Sequence, residues 1–280
     1  MEAMFYTREG QRCHCRLCHH DCVISEDRLG WCGVRRNIGG TLYAESYGRI
    51  TSLALDPIEK KPLNRFFPGR SILSAGSYGC NMNCAFCQNY AISKAKPRTV
   101  YLPPEQLTEL ATETPGSLGV AFTYNEPLIS VEYILDTAPL LRERGMKTVL
   151  VTNGMIMPEP LAALLPHIDA MSIDLKAFSP EFYRRHGGEL DTVKHSIARA
   201  ARDCHVEVIT LVIPKENDSD TEIDALAVWL ASLSPDIPLH LSRFFPCRDM
   251  PDTPVTPLKT LHSLKSVAER SLRYVYIGNV

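Results

Sequence analysis

Short apolar runs alternate with amphipathic stretches from about residue 70 to residue 280, and this alternation predicts strands and helices in turn. Between two of the runs, apolar residues recur at helical spacing from Val131 to Ala138. Strands that alternate with helices form a parallel sheet with right-handed crossovers and helices outside. The predicted strands are Ile72–Tyr78, Val120–Tyr124, Thr148–Thr152, Ala170–Leu175, Val206–Ile213, Leu239–Phe244 and Tyr274–Ile277.

These six or seven units are fewer than the eight of a closed barrel. The predicted fold class is therefore α/β, a partial (β/α)6-type TIM barrel. Capping residues mark two of its helix starts. Ser219 and Glu222 have the order of a capping box, and Thr256-Pro257 combines an N-cap residue with a proline for the first helical position.

The first 60 residues lack this alternation. Stretches rich in aromatic and β-branched residues on either side of Gly48, Thr41 to Tyr47 and Arg49 to Leu55, predict two strands. Prolines from Pro57 to Pro68 then interrupt regular structure. We divide the chain into a cysteine-rich module with its bridge, residues 1–60, and a barrel, residues 61–280.

Composition narrows the class of protein. The chain has 280 residues, 45% of them apolar, which suits one large domain or a domain with a small module. Its 30 basic and 32 acidic residues give no electrostatic signature for nucleic acid or an anionic membrane. No signal-peptide pattern opens the chain, and no apolar run approaches the roughly 18 residues of a membrane span. We expect a cytoplasmic protein, with its thiols reduced.

Most of the ten cysteines lie in two clusters, as metal ligands do. The second cluster is Cys80-x3-Cys84-x2-Cys87, with Phe86 before its last cysteine. Three thiolates can hold three corners of a four-iron cluster and leave one iron open. An open metal position is typical of a site that binds substrate or cofactor. Three buried thiols or a zinc knuckle are the alternatives that the spacing alone leaves.

The first cluster contains enough cysteines for a closed site. Gly30 and Gly33 flank one of them, as in a metal-binding knuckle. A four-thiolate site has no open position and is structural. Zinc and a second iron–sulfur cluster both suit it, zinc slightly better, and unliganded thiols are the alternative. The expected ligands are Cys15, Cys18, Cys22 and Cys32, with Cys13 surplus and His14, His19 and His20 as surface residues.

Polar residues end six of the predicted strands, at the edge where α/β barrels carry their chemistry. Each set alone could be a turn or a helix cap, but six sets around one rim indicate a site. They are Cys80 to Cys87, Asn125-Glu126, Thr152 to Gly154, Asp174 to Lys176, Lys215 to Asp218, and His240 to Arg243.

The core from Ile72 to Asn279 resembles radical S-adenosylmethionine (radical SAM) enzymes related to pyruvate formate-lyase activating enzyme. The whole chain is similar to the radical SAM component of the AmmeMemoRadiSam system, although His19 stands where that group has proline. The matching motifs are Asp56 to Leu63, Cys80 to Asn89, Thr123 to Pro127, Thr152 to Gly154 and Ser242 to Phe244, together with the opening cysteines.

The resemblance implies a [4Fe–4S] cluster on Cys80, Cys84 and Cys87, with S-adenosylmethionine on the open iron. One electron would cleave it to methionine and a 5′-deoxyadenosyl radical, which abstracts hydrogen from a substrate. An electron donor of the flavodoxin or ferredoxin type is also implied. The cofactor-binding residues implied are Phe86 by the adenine, Asn125 and Glu126 at the methionine amino group, Thr152 and Asp174 near the ribose and methionine end, and Ile213 and Pro214 on the adenine-side strand.

The chain also departs from the activases, which carry an acidic residue and an arginine where it has Val151 and Ile209.

Three functions are compatible with the sequence. The first is a radical SAM enzyme acting on a protein or peptide, since a partial barrel is too open to enclose a small ligand alone. The second is a radical SAM enzyme for a small molecule, with the N-terminal module over the mouth. The third is a non-catalytic iron–sulfur or zinc protein.

Overall fold

A computed structural model describes all 280 residues and contains fifteen strands and eight α-helices. The strands are β1 Tyr6–Glu9, β2 Arg12–Cys15, β3 Val23–Ile24, β4 Arg35–Ile38, β5 Thr41–Ala44, β6 Arg49–Ile50, β7 Ser52–Pro57, β8 Ser71–Gly76, β9 Val100–Tyr101, β10 Ser117–Thr123, β11 Lys147–Thr152, β12 Ala170–Asp174, β13 His205–Val212, β14 Leu239–Arg243 and β15 Val275–Gly278. The helices are α1 Tyr90–Ser93, α2 Pro104–Glu113, α3 Val131–Glu143, α4 Pro158–Leu164, α5 Pro180–Arg185, α6 Leu190–Ala200, α7 Asp220–Leu233 and α8 Leu258–Ala268.

Seven parallel strands form the barrel wall, in the spatial order β8, β10, β11, β12, β13, β14 and β15. Strand β7 pairs with β8 in the antiparallel direction, so the two outer strands of the sheet are β7 and β15. Because β7 and β15 do not pair with each other, the barrel stays open on one side. The predicted partial TIM barrel is confirmed.

The boundaries of some elements differ from the sequence prediction. The single strand expected from Arg49 to Leu55 is two strands with different partners, because β6 pairs with β9 while β7 pairs with β8. Strand β7 thus lies in the barrel sheet, although the sequence division placed residues 52–57 with the N-terminal module.

The two predicted helix caps have different outcomes. Ser219 caps α7, since its Oγ accepts from the backbone N–H of Glu222 at 3.2 Å. The Glu222 carboxylate accepts instead from the Phe178 N–H, at 2.7 Å. The N-cap role predicted for Thr256 is wrong: α8 begins behind Pro257, and the Thr256 hydroxyl donates to the Val212 carbonyl at 2.6 Å. Thr256 therefore links the segment before α8 to the end of strand β13.

Residues 58–66 close the N-terminal end of the barrel. Ile58, Leu63 and Phe66 are buried there in a small apolar cluster with residues from β8, β10, β11 and β12. The carboxylate of Glu207 on β13 accepts from the backbone N–H groups of Asn64 at 3.0 Å and Arg65 at 2.7 Å. We call residues 58–66 the barrel floor.

The Glu207 carboxylate also binds two histidines, His205 at 2.9 Å and His240 at 2.7 Å. Burial alone would raise its pKa, but the hydrogen bonds from His205, His240 and Arg65 outweigh burial and lower the pKa to about 2. Glu207 is therefore ionised and joins the floor to the barrel wall.

A buried ion pair joins the N-terminal module to the barrel. Arg35 is 1% exposed, and its Nη2 lies 2.5 Å from the carboxylate of Glu132 on α3. The same carboxylate accepts from the Met4 N–H at 2.7 Å. Removing either partner would leave an uncompensated buried charge, and this energetic cost keeps the module and the barrel together.

No helix of the fold combines the length and the apolar character needed to cross a bilayer.

Candidate active site

The three cysteines of the second cluster follow β8 at the C-terminal end of the barrel. Cys80, Cys84 and Cys87 all border one cavity of about 860 Å³. The loop turns at Gly79, whose φ is +86°. A Cβ at Gly79 would lie 2.5 Å from Val34 and 2.9 Å from the Cys32 carbonyl, so only glycine lets the loop approach the N-terminal module this closely.

Residues just after β14 hold the cysteine loop from outside. Arg248 donates to the Cys84 carbonyl and to Asn83 Oδ1, both at 2.8 Å. The Asp249 N–H donates to the Ala85 carbonyl at 3.0 Å. No local sequence pattern indicates this support, because the residues in contact are far apart in the chain.

Glu126 presents a buried carboxylate to the same cavity. It is 2% exposed, and its Oε1 accepts from the Thr152 hydroxyl at 2.6 Å and the Leu128 N–H at 2.9 Å. Its Oε2 accepts from the Asn153 N–H at 2.8 Å. Burial raises the pKa of Glu126 to about 7, against these hydrogen bonds, which lower it. The Leu128 contact makes Glu126 an N-cap as well as a residue of the cavity wall.

Asn125 supports the backbone that leads into the cysteine loop. Its Oδ1 accepts from the Ser77 N–H at 2.9 Å, and its Nδ2 donates to the carbonyls of Tyr78 at 3.1 Å and Gly79 at 3.2 Å. The amide is thus largely occupied by the loop, although Asn125 also lines the cavity.

Phe86 and Asp174 border the cavity beside Lys176, a residue that the sequence places at this rim without a role of its own. Lys176 Nζ lies 2.7 Å from Asp174 Oδ2 and 6.0 Å from the centre of the Phe86 ring. Burial would lower the pKa of Lys176, but Asp174 and the neighbouring Cys84 raise it above its ordinary value. Lys176 is therefore a cation, balanced by Asp174.

Of the cofactor-binding residues inferred from the sequence, five line the cavity: Phe86, Asn125, Glu126, Thr152 and Asp174. Ile213 and Pro214 are buried and do not line it. The Ile213 N–H donates to Asn217 Oδ1 at 2.7 Å, so this segment turns directly after β13. Val151 and Ile209, the two departures from the activases, are both in the cavity wall.

The N-terminal cysteines Cys15, Cys18, Cys22 and Cys32 border a second, much smaller cavity of about 10 Å³. Arg35 lines it too, with its Nη1 4.0 Å from Cys15 Sγ. The surplus Cys13 is fully buried elsewhere. The two cysteine sets are neighbours, since the Cys80 N–H donates to the Cys32 carbonyl at 3.3 Å.

The donor set suits a four-iron cluster with three protein ligands. Three thiols from one loop reach the cavity, and two N–H donors lie near the Cys80 sulfur, those of Met82 at 3.4 Å and the Asn153 side chain at 3.7 Å. Such donors stabilise cluster-bound thiolates. A four-iron cluster takes one thiolate at each of three separate irons, so its ligands need not meet at a single metal ion, and no three His, Cys, Asp or Glu side chains do so here.

Comparison with known proteins adds a family match. The model of the Radical SAM superfamily matches residues 75–227. An uncharacterized protein of Methanocaldococcus jannaschii, MJ0808, is 39% identical over 287 residues, which cover 100% of this chain and 85% of that protein. The 7-carboxy-7-deazaguanine synthase of Geobacter sulfurreducens is 27% identical over 71% of this chain and 83% of its own.

Among solved structures, a domain of pyruvate-formate lyase-activating enzyme from Bacteroides vulgatus has a similar fold. It superposes with a TM-score of 0.50 and 21% identity, over 57% of this chain and 99% of that one.

Proposed function

The chain belongs to the radical SAM superfamily, and on that premise we propose that it cleaves S-adenosylmethionine reductively and abstracts hydrogen from a substrate. A [4Fe–4S] cluster on Cys80, Cys84 and Cys87 would supply the electron that generates the 5′-deoxyadenosyl radical. The observation that carries this proposal is that the three thiols and the buried carboxylate of Glu126 border one cavity.

Residues on one wall of the cavity suit S-adenosylmethionine. The Glu126 carboxylate would receive the ammonium group, with Thr152 and Asn153 holding its two oxygens. Asp174 would lie near the ribose and Phe86 by the adenine, while Asn125 keeps the cysteine loop in place. Ile213 and Pro214 would support the adenine end from behind the wall.

The substrate that suits this cavity is a small polar molecule. About 860 Å³ lies within the range of about 300–1,000 Å³ typical of small-molecule sites. The barrel floor closes its far end, and His240 and Lys61 border it as polar groups. His240 binds Glu207 through Nε2, and no protein group hydrogen-bonds its Nδ1, which is left for a ligand. The relative named 7-carboxy-7-deazaguanine synthase also favours a small molecule.

A protein or peptide substrate is the second candidate, and the outer strand β7 favours it. Leu53 is 41% exposed and Leu55 is 43% exposed on this strand, and no further strand pairs with it. An unpaired, apolar outer strand can add an extended peptide through backbone hydrogen bonds. The activating-enzyme fold supports the same alternative.

The N-terminal cysteines would form a second, structural metal centre. Cys15, Cys18, Cys22 and Cys32 surround one small cavity, and four thiolates would leave no open position. We favour zinc over a second iron–sulfur cluster. A flavodoxin- or ferredoxin-type protein would reduce the catalytic cluster.

An anaerobic product assay tests the proposed function. Reconstituted protein, reduced with dithionite and mixed with S-adenosylmethionine, should form 5′-deoxyadenosine and methionine in equal amounts. Adding the low-molecular-weight fraction of a cell extract should stimulate this cleavage more than adding the protein fraction. Stimulation by the protein fraction alone would support the second candidate. Absence of 5′-deoxyadenosine from protein with a full complement of iron and sulfide would refute the proposal.

A further inference from the structure

Asn153 connects the cysteine loop to the carboxylate proposed for S-adenosylmethionine. It follows β11 directly and is 4% exposed. Its backbone N–H donates to Glu126 Oε2 at 2.8 Å, while its side-chain amide faces the cysteine loop. A single residue is therefore bonded to both halves of the proposed site.

The partners of the Asn153 amide determine its orientation. Oδ1 accepts from the Met155 N–H at 2.9 Å, and only the amide oxygen can accept. Nδ2 therefore faces the loop, where it donates to Asn81 Oδ1 at 2.9 Å and lies 3.7 Å from Cys80 Sγ. Asn81 is held in turn, because its own Nδ2 donates to the Met155 carbonyl at 2.7 Å. Each N–H of the Asn153 amide thus has one partner, Asn81 or the sulfur.

We propose that Asn153 is a positioning residue whose hydrogen bond to the Cys80 sulfur raises the reduction potential of the cluster. This inference rests on the proposed ligation of the cluster by Cys80. Reduction adds negative charge to the iron atoms and their sulfur ligands, and a donor at a ligand sulfur stabilises that charge. The only other protein donor at this sulfur is the Met82 N–H, at 3.4 Å. Removing the Asn153 amide should therefore make the cluster harder to reduce.

A potentiometric titration followed by electron paramagnetic resonance tests this inference. Asn153→Leu removes the donor and leaves the backbone N–H to Glu126 in place. Its midpoint potential should be more negative than that of the wild type at the same iron content. Asn37→Leu is the matched control, because Asn37 is also a buried amide but bonds the backbone of Gln11, Ile24 and Gly40 in the N-terminal module rather than a sulfur. Its potential should match the wild type, and an equal shift in both variants would overturn the proposal.

A second measurement needs no variant, in case Asn153→Leu does not retain its cluster. Wild-type protein labelled with [δ-15N]asparagine should show a 15N hyperfine coupling to the reduced cluster. A reduced wild-type cluster without that coupling, or an unshifted potential in a fully loaded Asn153→Leu, would overturn the role of Asn153. A wild-type protein that assembles no cluster would instead count against the proposed function.

Discussion

The Thr152 hydroxyl donates to Glu126 at 2.6 Å, and this bond joins the ends of two neighbouring barrel strands beneath the cysteine loop. Glu126 follows β10 and Thr152 ends β11. Thr152 thereby directs a buried carboxylate toward the cavity that the three thiols also border. The bond fixes the orientation of the carboxylate that is proposed to bind the ammonium group.

Glu126→Gln should weaken S-adenosylmethionine binding by about tenfold to a hundredfold and leave the cluster assembled. The substitution keeps the size of the side chain but removes a charge-assisted hydrogen bond worth about 1.5–3 kcal/mol. Titration of the reconstituted protein with S-adenosylmethionine measures the effect. Glu222→Gln is the matched control, because its carboxylate accepts from the Phe178 N–H and does not line the cavity. Equal affinities of the Glu126 variant and the wild type would leave Glu126 with only its capping role.

Binding of S-adenosylmethionine should strengthen as the pH rises toward 7. Burial raises the pKa of Glu126 to about 7, so the carboxyl group is mostly protonated below that pH and cannot pair with an ammonium ion. Each unit of pH below the pKa should cost about tenfold in affinity. The pH profile of the dissociation constant in Glu126→Gln should be flat over the same range. A wild-type profile that is equally flat would contradict the buried, titrating carboxyl group.

Cys80→Ala, Cys84→Ala and Cys87→Ala should each abolish the cluster. Each removes one of only three protein ligands, and no other cysteine is placed on this loop. Iron and sulfide content and the paramagnetic signal of the reduced protein measure the loss. Cys204→Ala is the control, since that thiol donates to the Ala200 carbonyl on α6 and should be dispensable for iron binding. An unchanged signal in any of the three variants would exclude that cysteine as a ligand.

Cys18→Ser should lower the thermal midpoint and remove one metal centre, while the surviving protein still cleaves S-adenosylmethionine. Metal binding supplies much of the folding free energy of so small a module. Elemental analysis distinguishes zinc from iron. Cys13→Ala, which changes a buried thiol outside the small cavity, should cost stability without loss of metal. A stable Cys18→Ser protein that cannot cleave S-adenosylmethionine would show that the module takes part in catalysis.

Acid should destabilise the barrel floor through Glu207. Its pKa in the folded protein is about 2, below the ordinary value of about 4.3. The ionised Glu207 therefore adds to the free energy of unfolding above about pH 4.3, and this stabilisation is lost as the pH falls toward 2. Glu207→Gln should therefore be less stable at neutral pH and lose part of the acid dependence. Chemical denaturation from pH 3 to pH 7 measures both. A variant with the wild-type acid dependence would show that other groups control it.

Features that depend on neighbours in the sequence could be predicted, and those that depend on distant contacts could not. Cys80 to Cys87 and the polar strand ends share one rim because parallel strands all end on the same side. The prolines of the barrel floor predict only a break in regular structure, because the position of this segment depends on hydrogen bonds to Glu207 in β13. Arg248, Lys176 and the Asn153 amide act through contacts that no spacing reveals. Thr256 has the residue type of a cap, but the end of β13 takes its hydroxyl.

The most direct test of the central claim is the spectrum of the reduced cluster with and without S-adenosylmethionine. Binding to an open iron beside Glu126 should change the electron paramagnetic resonance signal of the wild type. In Glu126→Gln the same change should require about tenfold to a hundredfold more S-adenosylmethionine. A wild-type signal that stays the same at saturating S-adenosylmethionine would contradict an open iron and favour a closed, non-catalytic iron–sulfur site.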